Sequence, residues 1–197
     1  MNRFSLSPGA ILVLALIYFF GGFKNLAAII TAVSVHEAGH AAAISIFGGK
    51  VKTLRFDYSG LCMSGFGAYS SACEVIILLA GPAAGLALAL VSSMLGNLTT
   101  NGFLLYTAGI SLVLTVYNML PALPLDGGRA LLIIIQRFTE AKIAERIMQC
   151  MSIITALVLA LIGIYSHNTQ AGAAFLAASA FKSFIHIISI IIICISV

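Results

Sequence analysis

Charge is scarce: 8% of the 197 residues are Asp, Glu, Lys or Arg and 61% are hydrophobic, where an ordinary globular domain carries roughly a quarter charged residues. That shortage excludes a soluble fold. Cysteine is scarce as well, and Cys62, Cys73, Cys150 and Cys194 show no pairing or CxxC spacing. A disulfide framework and a cysteine zinc site are thereby excluded. Acidic residues number six against ten basic ones, but the basic residues sit mostly in short loops between apolar runs. They mark orientation in a bilayer rather than a nucleic-acid partner. No internal repeat or low-complexity linker is visible, and the apolar runs leave few residues for a water-soluble module.

What the chain has in abundance is long apolar stretches. Runs of about 17–25 apolar residues are long enough to cross a bilayer, and the candidates are 8–23, 25–47, 72–95, 102–120, 147–165 and 171–195. The fold class expected is an all-α polytopic membrane protein, a single domain over 1–197 with about six transmembrane helices. The first run follows Arg3 as the apolar core of a signal peptide would, but no small-x-small cleavage site precedes Lys24. It reads as an uncleaved span. Six spans put both termini on one side, with Arg3, Lys50, Lys52, Arg55, Arg129, Arg137, Lys142 and Arg146; the other side holds only Lys24. Both termini are therefore expected in the cytoplasm.

Residues 48–71 are too polar to continue a helix, and 51–58 alternate, with Leu54, Phe56 and Tyr58 against Arg55 and Asp57. The alternation predicts a strand. Ser59-Gly60 could turn it into a second one near 61–66, giving a small β-hairpin after the second span. Residues 127–138 read as a mostly apolar interfacial helix, with Thr139 capping the next helix and Glu140 in its first turn.

Inside the second run stands His36-Glu37-Ala38-Gly39-His40. Residues four apart on a helix share a face, so two imidazoles can address one ion, while Glu37 lies about 100° round from His36 and can reach a metal-bound water. This H-E-x-x-H spacing is the zincin arrangement, and its chance occurrence in such a chain is about 0.002. Ionisable groups inside a spanning helix are costly unless they face a polar cavity or a partner. With the helix ending near Phe47, the histidines lie roughly 10–16 Å below the cytoplasmic surface at about 1.5 Å per residue.

A catalytic zinc wants three protein ligands and one open position. Asp126 is the leading candidate for the third. It lies in Asn118-Met119-Leu120-Pro121-Ala122-Leu123-Pro124-Leu125-Asp126-Gly127-Gly128-Arg129, where two prolines forbid regular helix and two glycines permit a tight turn. Irregular backbone at membrane depth belongs inside protein or beside a water-filled cavity. Glu74, Glu140 and Glu145 stay open as alternatives, although Glu74 suits a helix start, and an aspartate before Gly-Gly is commonly a turn residue.

HEAGH in one apolar helix together with the later Asn-x-x-Pro-x-x-Pro-Leu-Asp-Gly-Gly-Arg resembles the site-2 protease family of intramembrane zinc metalloproteases. The six-span layout, the hairpin and Gly81-Pro82 in span three fit as well, so the resemblance covers almost the whole chain. It implies one zinc ion held by His36, His40 and Asp126, with Glu37 as catalytic base. The compact form is similar to the branch containing the sporulation sigma-factor-processing peptidase, which implies a membrane-tethered pro-sigma factor as substrate. No PDZ domain fits between the spans and no CBS domain follows span six. Many relatives carry an asparagine shortly after the span-three Gly-Pro, where this chain has Ala83-Ala84-Gly85.

On this reading Glu37 takes the water proton and passes it to the leaving amine. A helical substrate must unwind locally to expose its scissile carbonyl. The 51–58 strand, with Val51, Leu54 and Phe56, is a candidate for trapping it extended by strand addition; a hairpin that merely caps the cavity is the competing reading. Asn118 either holds substrate backbone, orients the Asp126 loop, or caps its own helix. Lys50, Lys52 and Arg55 could touch acidic lipid or substrate. Lys182 and His186, four apart in the last run, are functional candidates by their depth. The expected partners are a membrane-embedded or membrane-tethered protein substrate, the lipid bilayer and a membrane inhibitor protein. The alternative is a membrane metal transporter or metal-binding bundle without hydrolytic activity, in which Glu37 is not needed as a base.

Overall fold

The structure, a computed structural model, describes residues 4–6, 8–57, 60–66 and 70–165. The chain forms two compact units, Met1–Met119 and Leu120–Val197. In the first, helix α1 (Pro8–Ile46) is followed by the extended segments β2 (Lys50–Asp57) and β3 (Gly60–Phe66), then by α2 (Ser71–Thr99) and α3 (Gly102–Asn118). A short β1 (Phe4–Leu6) precedes α1. The second unit holds α4 (Asp126–Ile135) and α5 (Ala141–Tyr165).

Three helices among the described residues are long and apolar enough to cross a membrane: Leu14–Ile46, Ser71–Thr99 and Ala141–Ile162. Gly102–Asn118 is a shorter apolar helix. Large apolar side chains lie bare on them, with Phe19 and Phe20 80% and 81% exposed. Such surface is stable against lipid and a liability in water.

The six expected spans are thus not all seen as separate helices. Runs 8–23 and 25–47 fall in the one assigned helix α1, interrupted at Gly22, whose φ of 71° and ψ of 179° are not helical. Only glycine adopts that conformation without strain, so the break sits where the two runs were expected to part. Run 72–95 matches α2, which continues to Thr99, and run 102–120 matches α3. Run 147–165 lies in α5, which begins earlier, at Ala141. Run 171–195, with Lys182 and His186, lies outside the described residues.

Helix ends follow local chemistry. The Ser70 hydroxyl accepts from the Cys73 N–H at the start of α2, and the Asn101 side chain accepts from the Phe103 N–H at the start of α3. Thr139 does not cap α5 as expected. Its hydroxyl donates to the Ile135 carbonyl at 3.1 Å, a bond that threonine makes readily four residues back. Glu140, expected in the first turn of α5, stands before it, its carbonyl accepting from the Ala144 N–H.

The strand order is β1-β2-β3, with β2 antiparallel to β3 and parallel to β1. Residues 58–59, and with them the turn of the expected hairpin, lie outside the described residues.

In lipid, helices associate through close packing of small residues rather than through hydrophobic exclusion. A Cβ on Gly39 of α1 would stand 2.5 Å from the Ala80 carbonyl oxygen and 2.7 Å from the Ala84 Cβ on α2. A Cβ on Gly96 of α2 would meet Leu105 of α3 at 2.8 Å. The first contact lies at the level of the histidines and the second near the far end of α2, so α2 packs closely against both neighbours.

Candidate metal centre

His36 and His40 lie one turn apart on α1, buried at 4% and 9% exposure. Their Nε2 atoms face each other at 3.2 Å, with the rings nearly perpendicular at 79°. Two nitrogen ligands at about 2.0–2.1 Å from a tetrahedral zinc stand about 3.3 Å apart. The pair therefore fits a shared ion without rearrangement.

The ring of His40 is oriented by α2. Its Nδ1 donates to the Ile77 carbonyl oxygen at 2.7 Å, which leaves the Nε2 lone pair for a ligand; metal-binding histidines are commonly fixed this way. Pro82, inside α2, supplies no N–H to the carbonyl four residues earlier and loosens the backbone ladder of that turn. Gly81 lies against the ring itself, and a Cβ there would collide with His40 Nε2. Gly81-Pro82 therefore belongs to the setting of His40 and is more than a kink. Hydropathy could not reveal this, because the contact depends on how α1 and α2 pack.

Glu37, on the same turn as the histidines, is half-buried. Asn118 is the last residue of α3, and its amide Nδ2 donates to the Leu114 carbonyl oxygen at 3.1 Å. This bond lies within its own helix, and holding substrate backbone or the Asp126 loop stays a proposal for Asn118.

In the second unit, Asp126 opens α4, where a carboxylate complements the helix dipole. The approach to it is tightly built. The Leu125 N–H donates to the Ala122 carbonyl at 2.9 Å, and a Cβ on Gly128 would collide with that same Ala122 backbone. The Leu123 N–H donates to the Ser152 hydroxyl at 2.9 Å, and that hydroxyl donates in turn to the Met148 carbonyl at 2.7 Å. Ser152 of α5 thus anchors the turn that delivers Asp126, a role no sequence motif signalled. The Leu123–Pro124 peptide is cis. Asp126 is half-buried, whereas Glu74, Glu140 and Glu145 are exposed.

For the strand residues, the register shows β2 as the central strand. Leu54 and Phe56 are opposite Phe4 and Leu6 on one side and Met63 and Leu61 on the other. Strand addition at Leu54 and Phe56, as expected from the alternation, is thus blocked by β1. Val51 is opposite Gly65 and lies before the stretch that pairs with β1.

Comparison with known proteins shows what the chain is similar to. Residues 93–162 match the family model of Peptidase family M50. That likeness takes in 70 of the 197 residues. The chain is 33% identical over 147 residues to a zinc metalloprotease of Methanocaldococcus jannaschii, an alignment that takes in 69% of this chain and 41% of that protein. The chain thus spans about two fifths of the curated relative it matches. Its fold is that of the solved site-2 protease from the same organism, with a TM-score of 0.70 and 21% identity over 93% of this chain and 89% of that one. The M50 match covers the Asn118–Arg129 motif but not the histidine pair. The three described helices long and apolar enough to cross a membrane fit a multi-pass membrane protein.

Proposed function

We propose that the protein is an intramembrane zinc metalloendopeptidase that hydrolyses a peptide bond in a membrane-spanning or membrane-associated protein near the cytoplasmic face. The observation that carries this reading is the buried His36–His40 pair with its Nε2 atoms 3.2 Å apart, one residue from a carboxylate and inside a helix otherwise apolar enough to span. Burying two imidazoles and a carboxylate at such depth is costly unless they act together.

Asp126 is the proposed third ligand. Two imidazoles and a carboxylate, each offering one ligand atom, form a donor set that zinc accepts and that leaves a fourth position open. The exposure of Glu74, Glu140 and Glu145 disfavours a glutamate in that place. When bound, the ion supplies Lewis-acid polarisation of a carbonyl and lowers the pKa of a coordinated water towards about 7. Glu37 would accept the proton of the attacking water on its carboxylate and return it to the leaving amine nitrogen. His36 and His40 would turn their Nε2 lone pairs to the ion, the tautomer that the Ile77 carbonyl imposes on His40. Loss of zinc from Asp126→Ala, with zinc retained by Glu74→Ala, tests the ligand assignment.

The finer features belong to the same proposal: a single intramembrane domain of six spans, both termini in the cytoplasm, and a substrate that unwinds before cleavage. The β3 edge, or β2 around Val51, offers backbone to such a segment. A membrane-tethered transcription regulator of the pro-sigma type is the proposed substrate class, and a membrane inhibitor protein the proposed means of control. Both rest on the resemblance carried by HEAGH and the Asn118–Arg129 motif. The metal-transport alternative predicts that Glu37→Gln leaves function intact while His36→Ala abolishes it.

A further inference from the structure

His40 has a visible orienting partner on α2, and the first unit contains a matching arrangement for His36. Gly85 lies on α2 one turn beyond Gly81, and the space where its Cβ would stand is bordered by three polar atoms. These are Thr115 Oγ1 at 2.5 Å, His36 Nδ1 at 3.8 Å and Ser111 Oγ at 3.8 Å. Ser111 is already committed, donating to the Gly85 carbonyl at 2.8 Å. Thr115 is not. Its residue is 7% exposed, and its Oγ1 has no hydrogen-bond partner among the described residues.

A buried hydroxyl without a partner is destabilising and uncommon. Threonine usually relieves this by bonding back to its own helix, as Thr31, Thr99 and Thr107 do here. Thr115 departs from that pattern, and its hydroxyl borders the same space beside Gly85 as the outer nitrogen of His36, whose other nitrogen faces His40. Among Ala, Ser, Thr and Val, only a hydroxyl-bearing side chain could do anything for an imidazole at that point.

We propose that Thr115 is a positioning residue for His36: its hydroxyl oxygen accepts the Nδ1–H of the imidazole across the space left by Gly85, holding the Nε2 lone pair towards the metal. α2 and α3 would then fix the two histidines independently, Ile77 acting on His40 and Thr115 on His36. The inference rests on the reading of the His pair as a metal site. It also gives a reason for Gly85, since any larger residue there would displace the Thr115 hydroxyl.

The test uses the full chain in detergent, with zinc affinity measured by competition against a chromophoric chelator and histidine tautomers read by nitrogen-15 NMR. Thr115→Val keeps the shape and removes a hydroxyl that has no partner among the described residues, so folding is expected to survive. It should weaken zinc binding about 10–100-fold, the usual effect of losing such an outer partner, and shift His36 from the Nδ1–H tautomer to a mixture. Thr115→Ser should restore both. The proposal is overturned if Thr115→Val binds zinc like wild type while His36→Ala does not, or if Thr115→Ser is as weak as Thr115→Val. It is overturned equally if wild-type His36 carries its proton on Nε2. If His36→Ala leaves zinc affinity unchanged, the metal-site reading itself fails and this inference falls with it.

Discussion

His40 is locked to the neighbouring helix by Ile77: the imidazole Nδ1 donates to the Ile77 carbonyl oxygen at 2.7 Å, and this single bond decides which ring nitrogen faces His36. A backbone acceptor cannot be removed by ordinary mutation, so the arrangement tolerates substitution at Ile77 itself. Its weak point is Gly81, where the ring and α2 meet with no room for a side chain.

Gly81→Ala should therefore reduce zinc affinity by roughly the 10–100-fold expected for a disturbed ligand, with helix content unchanged. Zinc per protein after dialysis against graded chelator, together with circular dichroism, checks it. Full zinc retention would mean that α2 can move aside.

Gly128→Ala acts on the other half of the proposed site. The new Cβ meets the Ala122 backbone, which unlike a side-chain tip has no freedom to swing away. Overpacking of this kind costs about 1–3 kcal/mol. The expected result is a lower midpoint of thermal unfolding and loss of cleavage, even with His36, Glu37 and His40 intact.

Ser152→Ala leaves the half-buried Leu123 N–H without its acceptor, at a cost towards the lower end of the about 1–3 kcal/mol of a buried donor. Because Ser152 lies on α5 and touches the turn before Asp126, activity should fall through poorer zinc retention. Zinc supplementation during the assay should recover part of it. No recovery would place the defect elsewhere.

Much of this was legible in the chain. HEAGH lies on a helix as its spacing requires, because i and i+4 have meaning only there, and the apolar runs located α2 and α3 to within a few residues. The break between the first two runs falls at Gly22, where backbone chemistry permits a conformation no other residue adopts readily. Hydropathy does not describe what one helix presents to the next. Nothing in the run 72–95 tells that Gly81 meets the His40 ring; the packing of α1 on α2 puts it there. Ser152 looked like one small polar residue in an apolar run, and Thr115 another. Thr139 misled because its hydroxyl had two local options and took the backward one. The alternation of 51–58 says which residues share a face, but whether a strand is central or at an edge depends on segments remote in sequence, here β1.

The most direct test reconstitutes the full chain in lipid as wild type and as Glu37→Gln, measuring bound zinc and cleavage of a panel of membrane-tethered substrates together. The account predicts equal zinc in both and cleavage slowed by about 10²–10⁴ in Glu37→Gln, the contribution of a positioned base. Cleavage by Glu37→Gln at the wild-type rate, or a wild-type protein that binds no zinc, would contradict it.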